Sequence, residues 1–285
     1  MTAQLPPKSS RNDAGREPPQ APRAAALVTG AARRLGREIA LGLARAGWDV
    51  AVHYGSSAEE ARATVADIES LGRRAVAVQA DLADEAQTCA MFDRASAEVG
   101  GIGCLVNSAS RFEFDRPESF GYQALFEHIG PNLAAPLALA RRLHDAIGEG
   151  EQGVVINLLD QKLDNLNPDF FSYTLTKAAL LAATRMMAQA FAPRLRVAAV
   201  SPGITLISGD QSEAGFRRAH RMAPLGRSST PEDIVAAVLY LARARAVTGV
   251  NLAVDGGQHL LPLSRDVMYV ADGDPANPKA PGTPS

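Results

Sequence analysis

From Ala24 onward the sequence alternates short runs of β-branched and aliphatic residues with amphipathic stretches several helical turns long. Parallel strands need a long crossover, and a helix that buries one face on the sheet is the usual one. The expected strands are Ala25 to Thr29, Asp49 to His53, Ala75 to Gln79, Cys104 to Asn107, Val154 to Leu158, Arg196 to Val200 and Asn251 to Val254. Between them, Arg34 to Ala46, Ala58 to Leu71, Glu85 to Val99, Tyr122 to Ile147, Tyr173 to Phe191 and Pro231 to Ala242 read as helices. Gly47, Gly72 and Gly100 follow helical patterns where left-handed caps are expected, and Thr230-Pro231-Glu232-Asp233 is a helix start. The expectation is an α/β protein: one doubly wound domain, a seven-stranded parallel sheet with helices on both faces. Its ligands bind beyond the carboxyl ends of the strands.

Composition sets the limits of that domain. Of 18 prolines among 285 residues, five fall in Met1 to Arg23 and five in Pro262 to Ser285. Residues 1–23 therefore read as a disordered extension, 24–261 as the folded domain, and 262–285 as a flexible Pro-rich tail. A formal charge of −2 gives no electrostatic reason to expect nucleic acid or an acidic membrane as partner. Cys89 and Cys104 form neither a disulfide framework nor a zinc pattern, so no metal is expected and a reducing cytoplasm fits. No run is long and apolar enough for a membrane span, and no signal-peptide core is seen.

Strand one runs into Thr29-Gly30-Ala31-Ala32-Arg33-Arg34-Leu35-Gly36-Arg37. Gly30 allows a tight turn and Gly36 a close helix, while the helix start offers free N–H groups to a pyrophosphate. No G-K-[ST] ending follows, so it is not a P-loop. Strand two ends His53-Tyr54-Gly55-Ser56-Ser57, with no carboxylate to hold a ribose 2′-hydroxyl. Hydroxyls, an imidazole and the nearby Arg33 and Arg34 suit a dianionic 2′-phosphate instead, so NADP (NADPH) is expected over NAD. Ser56-Ser57 also stands where the next helix needs a cap, and Asp81 equally before the helix after strand three. Arg33, Arg34 and Arg37 concentrate positive charge at one helix start.

At the other end, Asp160 follows strand five, and Tyr173-Thr174-Leu175-Thr176-Lys177 opens a long helix. A spacing of four puts Tyr173 and Lys177 on one helix face. A phenol ordinarily titrates near pH ~10, and an adjacent ammonium lowers that value toward acid–base duty.

The order T-G-x-x-x-x-x-G, D-L, N-S-A-S, Y-x-x-x-K, Ser201-Pro202-Gly203 and Val254-Asp255-Gly256-Gly257 resembles the short-chain dehydrogenase/reductase family from Ala24 to about His259. That resemblance implies a Rossmann fold, with Tyr173 as proton donor and Lys177 holding the nicotinamide ribose and lowering the tyrosine's pKa. It implies cofactor contacts at Gly30, Arg33, Arg34, Leu35, Gly36, His53, Tyr54, Ser56 and Ser57. It places Asp81 at the adenine and Asn107, Ser108 and Ala109 along the ribose and nicotinamide, with Leu82, Pro202 and Gly203 as further cofactor contacts. Asn132 matches a helix asparagine that supports a proton-relay water.

Departures from the family pattern narrow the chemistry. Arg34 takes the middle glycine position, and Asp160 stands where most members place a serine, thirteen residues before Tyr173. An ionised aspartate accepts hydrogen bonds and opposes a developing alkoxide, so it suits a substrate with N–H donors or a ring nitrogen needing a proton. With Ser110 and Phe112 after strand four, these changes resemble the pteridine-reductase branch. By that resemblance Phe112 stacks a pterin, Arg34 and Ser110 contact its polar edge and the phosphate, and Asp160 with Tyr173 forms the acid–base pair. The expected activity is NADPH-dependent reduction of a pterin C=N bond, in dihydromonapterin, dihydrobiopterin or dihydrofolate. The rivals are a carbonyl reductase of the same family and, less so, a non-catalytic NADP-binding sensor or scaffold. Gly209 to Arg221 falls where the family has a mobile lid, and the resemblance implies a homotetramer.

Overall fold

The computed structural model describes residues 24–207 and 211–272; the extension expected at 1–23, the start of the expected lid and residues 273–285 lie outside the described residues. Seven strands form one parallel sheet: β1 (Ala25–Val28), β2 (Asp49–Tyr54), β3 (Ala75–Gln79), β4 (Cys104–Asn107), β5 (Gly153–Leu158), β6 (Leu195–Pro202) and β7 (Asn251–Val254). Their order across the sheet is β3-β2-β1-β4-β5-β6-β7. Between β1 and β4 the direction of winding reverses, and the strand ends open there into a cleft.

The helices are α1 (Arg34–Arg45), α2 (Ala58–Ser70), α3 (Glu85–Val99), α4 (Tyr122–Ile129), α5 (Ala135–Ala146), α6 (Phe171–Ala190), α7 (Glu213–Met222), α8 (Pro231–Arg243) and α9 (Val267–Asp272). Side chains from α1, α2 and α8 pack on one face of the sheet, with Ile39, Leu43, Ile68 and Leu241 among the buried residues. On the other face α3, α5 and α6 bury Phe92, Leu139, Leu143 and Met187. Strands sandwiched in this way read as nearly unbroken apolar runs, and β1, β4 and β5 are buried at every position.

Local signals in the sequence act as expected at four helix ends. Gly47, Gly72 and Gly100 all adopt positive φ where helices stop. Thr230 and Asp233 form a reciprocal capping box at the start of α8. The stretch Tyr122 to Ile147, expected as one helix, is instead two, joined by a π-helical turn over Gly130–Ala134. Pro131 has no N–H to continue the α-helical ladder, so the backbone widens there.

The boundary expected at residue 261 falls too early. Asn165 bonds the carbonyl of Leu261 and the amide of Leu263, and α9 seats Val267 and Ala271 against Ala219 of α7. Four of the five prolines that suggested a flexible tail lie beyond residue 272, and only Pro262 precedes α9.

Candidate active site

The cleft at the carboxyl edge has a volume of about 1140 Å³ and is walled by the β1–α1 turn, the ends of β2 to β6, and residues 266–268. At the nucleotide end, Gly30 has φ +66°, and a Cβ there would lie 2.9 Å from the Cα of Ala109. A Cβ on Gly36 would meet the Gly30 carbonyl oxygen at 2.3 Å, so α1 approaches the turn as only glycine permits. Arg34 adopts the left-handed conformation with φ 54°, the region that its family glycine would enter freely. Strain of about 1–2 kcal/mol is the usual cost of a side chain there. The guanidinium donates to the carbonyl of Ile207 at 2.7 Å.

Gly30, Arg33, Arg34, Leu35, Gly36, His53, Tyr54, Ser56, Ser57, Asp81, Leu82, Ser108, Ala109, Pro202 and Gly203 all line this one cleft. Several of them act otherwise than anticipated. His53 is buried; its Nδ1 accepts the Gly30 N–H at 3.1 Å and its Nε2 faces the Ala80 carbonyl at 3.2 Å. Burial holds its pKa down at about 4, so it is a neutral brace rather than a cationic phosphate ligand. Ser57 is the N-cap of α2 but makes no side-chain cap bond among the described residues. Asp81 accepts from the Ala83 amide at 2.9 Å, while the cap of α3 is Asp84. Arg37 turns from the cleft toward Glu38 and Asp67, so the basic cluster reduces to Arg33 and Arg34.

Asn107 does not line the cleft. Its amide donates to Asn157 at 2.8 Å, and Asn157 donates in turn to Thr184, joining β4, β5 and α6 behind the site. Asn132 is likewise committed: its oxygen accepts from the Arg111 amide and the Ser110 hydroxyl, and its nitrogen donates to the Arg111 carbonyl and Thr176. No side-chain capacity is left over for a relay water. Its role is to pin the loop bearing Ser110 and Phe112 onto α6. Arg111, in the same loop, pairs with Glu113 and Glu127.

At the reaction end Asp160, Tyr173, Lys177, Ser110 and Phe112 converge on the same cleft. The Tyr173 hydroxyl donates to Asp160 Oδ2 at 2.8 Å, and Asp160 Oδ1 accepts the Lys162 amide at 2.8 Å. Lys177 lies on the same face of α6, its Nζ donating to the Leu158 carbonyl at 2.7 Å and standing 5.5 Å from the centre of the Tyr173 ring. Burial raises the Asp160 pKa, and burial together with the Asp160 charge pushes the Tyr173 phenol well above its ordinary value. Burial brings Lys177 down to about 8. The expected lowering of the phenol by Lys177 is therefore not what prevails: burial first, and then the Asp160 carboxylate bonded to the phenol, raise it.

Phe112 stacks one face on Phe170 at 4.1 Å between ring centres and meets Tyr173 edge-on at 4.7 Å. Its side chain is 39% exposed at the cleft. Sequence reasoning missed Gln161, Gln258, Asp266 and Met268 at the cleft and Phe170 behind Phe112, whereas Gln211 falls in the segment expected to be the lid. Among the described residues, Gln211 is buried beside the cleft with no partner for either side-chain amide atom, and the nitrogen of Gln258 has none either. Such buried amides are costly unless a ligand or water completes them.

A family model described as enoyl-(acyl carrier protein) reductase, of the short-chain type, matches residues 30–259. The chain belongs to the short-chain dehydrogenase/reductase family. Among solved structures of this family, FolM alternative dihydrofolate reductase 1 from Brucella suis in complex with NADP is 39% identical, with a TM-score of 0.78 over 84% of this chain and 96% of that one. Among short-chain relatives, 3β-hydroxysteroid dehydrogenase 1 of Eggerthella lenta is 34% identical over 83% of this chain and 94% of its own. The 3-oxoacyl-[acyl-carrier-protein] reductase FabG of Staphylococcus aureus is 32% identical over 82% of this chain and 98% of its own. Short-chain dehydrogenase/reductase architecture thus accounts for the sheet, its order and the position of the cleft. Among the described residues no metal-binding cluster occurs and no helix is long and apolar enough to cross a membrane.

Proposed function

We propose that this protein is an NADPH-dependent cytoplasmic reductase that saturates a C=N bond of a pterin, converting a dihydropterin or dihydrofolate to its tetrahydro form. The observation that carries this reading is the Asp160–Tyr173 hydrogen bond at the cleft beside the exposed ring of Phe112. A carboxylate is a poor neighbour for a ketone oxygen gaining negative charge, and a good one for the N–H groups of a pterin. Likeness to a NADP-bound FolM dihydrofolate reductase supports the same substrate class.

NADPH fits the nucleotide end by its chemistry. The glycine turn lets the start of α1 pack close against the end of β1, where a helix N-terminus has free N–H groups for a pyrophosphate; Arg33 of that turn and Ser56 and Ser57 after β2 line the cleft, with no carboxylate among residues 53–58. When bound, the cofactor supplies a hydride to the carbon of the C=N bond and leaves as NADP⁺. Tyr173 provides the proton that the adjacent ring nitrogen takes up, and Asp160, bonded to the phenol, is the route by which it is replenished from solvent. Lys177 holds the ribose and Phe112 stacks the pterin ring. Arg34 and Ser110 bind its polar edge, and the unpaired amide of Gln211 offers a further donor and acceptor.

The test is a substrate panel. Purified protein with NADPH should oxidise the cofactor in the presence of dihydropterins or dihydrofolate; turnover of ketones with none of the pterins overturns the proposal. The second reading, a carbonyl reductase, is favoured by the relatives named for 3-oxoacyl and hydroxysteroid chemistry. It predicts activity that survives replacement of Asp160 by Ser. Self-association as a homotetramer through α4 and α6 fits the exposure of Tyr122, Phe126, Leu175 and Met186, and sedimentation gives the stoichiometry directly.

A further inference from the structure

The cleft is completed by residues beyond the stretch that the family model matches. Asp266, Val267 and Met268 line it, although the match ends at residue 259. Their placement is held by a buried charge cluster. Asp169 is fully buried; both of its oxygens accept from Arg265 Nε at 2.7 and 3.0 Å, and Arg116 and the Asp266 amide donate to it at 3.2 and 2.8 Å. The carboxylate of Asp266, so held, takes the ammonium of Lys162 at 3.0 Å. Lys162 is itself buried, and its amide donates to Asp160, which accepts the Tyr173 hydroxyl. A line of contacts thus runs from the Asp266 carboxylate to the Lys162 ammonium, and from the Lys162 backbone amide through Asp160 to the phenol.

We propose that Asp266 is a positioning residue that, through Lys162, sets the proton affinity of the Asp160–Tyr173 pair. The inference rests on reading that pair as the proton-transfer group, but not on which substrate is reduced. The charged and titratable groups facing Asp160 are Tyr173 and Lys177 from α6, Lys162 from the turn after β5, and Asp266 from the segment before α9. The Lys162 ammonium, on the far side of the amide that Asp160 accepts, lowers the proton affinity of the pair. Asp266 offsets that cation and adds a charge of Asp160's own sign, which raises the proton affinity of the pair. Phe170, whose ring centre lies 5.4 Å from the Lys162 ammonium, closes the remaining side.

The two partners act on the pair with opposite sign, and that separates electrostatics from folding. Asp266→Asn should move the pH profile of kcat to lower pH by about one unit, and Lys162→Met should move it to higher pH by a similar amount. Asp266→Glu should restore the original profile. The profile is measured with whichever substrate class the panel identifies. A carbon-13 titration of the Asp160 carboxyl, assigned with Asp160→Asn, reads the same shifts without turnover and stands if the pterin reading falls. Opposite displacements support the inference. Displacements in the same direction, or lower kcat with an unmoved profile in variants that unfold at the wild-type temperature, overturn it.

Discussion

The imidazole of His53 accepts the amide hydrogen of Gly30 at 3.1 Å, so the end of β2 holds the glycine turn at the mouth of the nucleotide site. Its second nitrogen meets the Ala80 carbonyl, and only a neutral ring satisfies both partners. The folded-state pKa of about 4 lies below the ordinary value of 6.5, so the unfolded chain binds the extra proton first. Stability from this group is therefore complete above pH ~6.5 and is lost as pH falls toward ~4, on the order of 3 kcal/mol in all. Urea unfolding across that window should show His53→Gln with a shallower pH dependence than the parent. An identical slope would mean that the ring titrates freely in the folded protein.

Tyr173 and Asp160 make separable contributions. Tyr173→Phe should lower kcat by about 10²–10⁴-fold, the usual worth of a general acid, while NADPH affinity measured by fluorescence stays close to the parent's. Parallel loss of both would mean that the phenol serves the cofactor site. Asp160→Ser should reduce kcat/KM for the pterin by about 10²-fold and leave ketone turnover unchanged or improved.

The end of β2 predicts cofactor preference. Ser57→Asp sets a carboxylate where a 2′-phosphate would bind, and should raise KM for NADPH about tenfold while improving use of NADH. Steady-state rates with both cofactors decide the matter. An unchanged preference places the phosphate elsewhere on the cleft.

Asp169 has no exposed side-chain surface, whereas its partners Arg265 and Arg116 are 15% and 31% exposed. Asp169→Ala strands two cations against the segment before α9 and should cost about 3–5 kcal/mol in urea unfolding. Arg116→Met, at the wetter end of the cluster, should cost about 1 kcal/mol. Equal losses would show that Arg116 alone carries the worth of the cluster.

What the sequence made legible was short-range. The β1–α1 glycines, the capping box at Thr230 and the four-residue spacing of Tyr173 and Lys177 are patterns within one or two turns of chain, and the structure keeps all of them. Roles that depend on distant partners were hidden. Asn107 has cofactor-site neighbours in sequence, yet its amide is taken by Asn157 on the adjoining strand. His53 has the composition of a phosphate ligand, but Gly30 and Ala80 enclose it. Residues 262–272 look like the start of a proline-rich tail until Asp169, nearly a hundred positions earlier, is seen to accept from Arg265. Charge pairs at such separations leave no periodicity to read.

Residues 265–268 come after every strand of the sheet, and this gives the site an order of assembly. During synthesis β1 to β4, with the glycine turn and the end of β2, emerge long before the segment that walls the other half. A nascent chain can therefore shape the nucleotide half while the half bearing Tyr173 still lacks a side. Fusions or extensions placed close behind α9 bear on substrate turnover before they bear on nucleotide affinity.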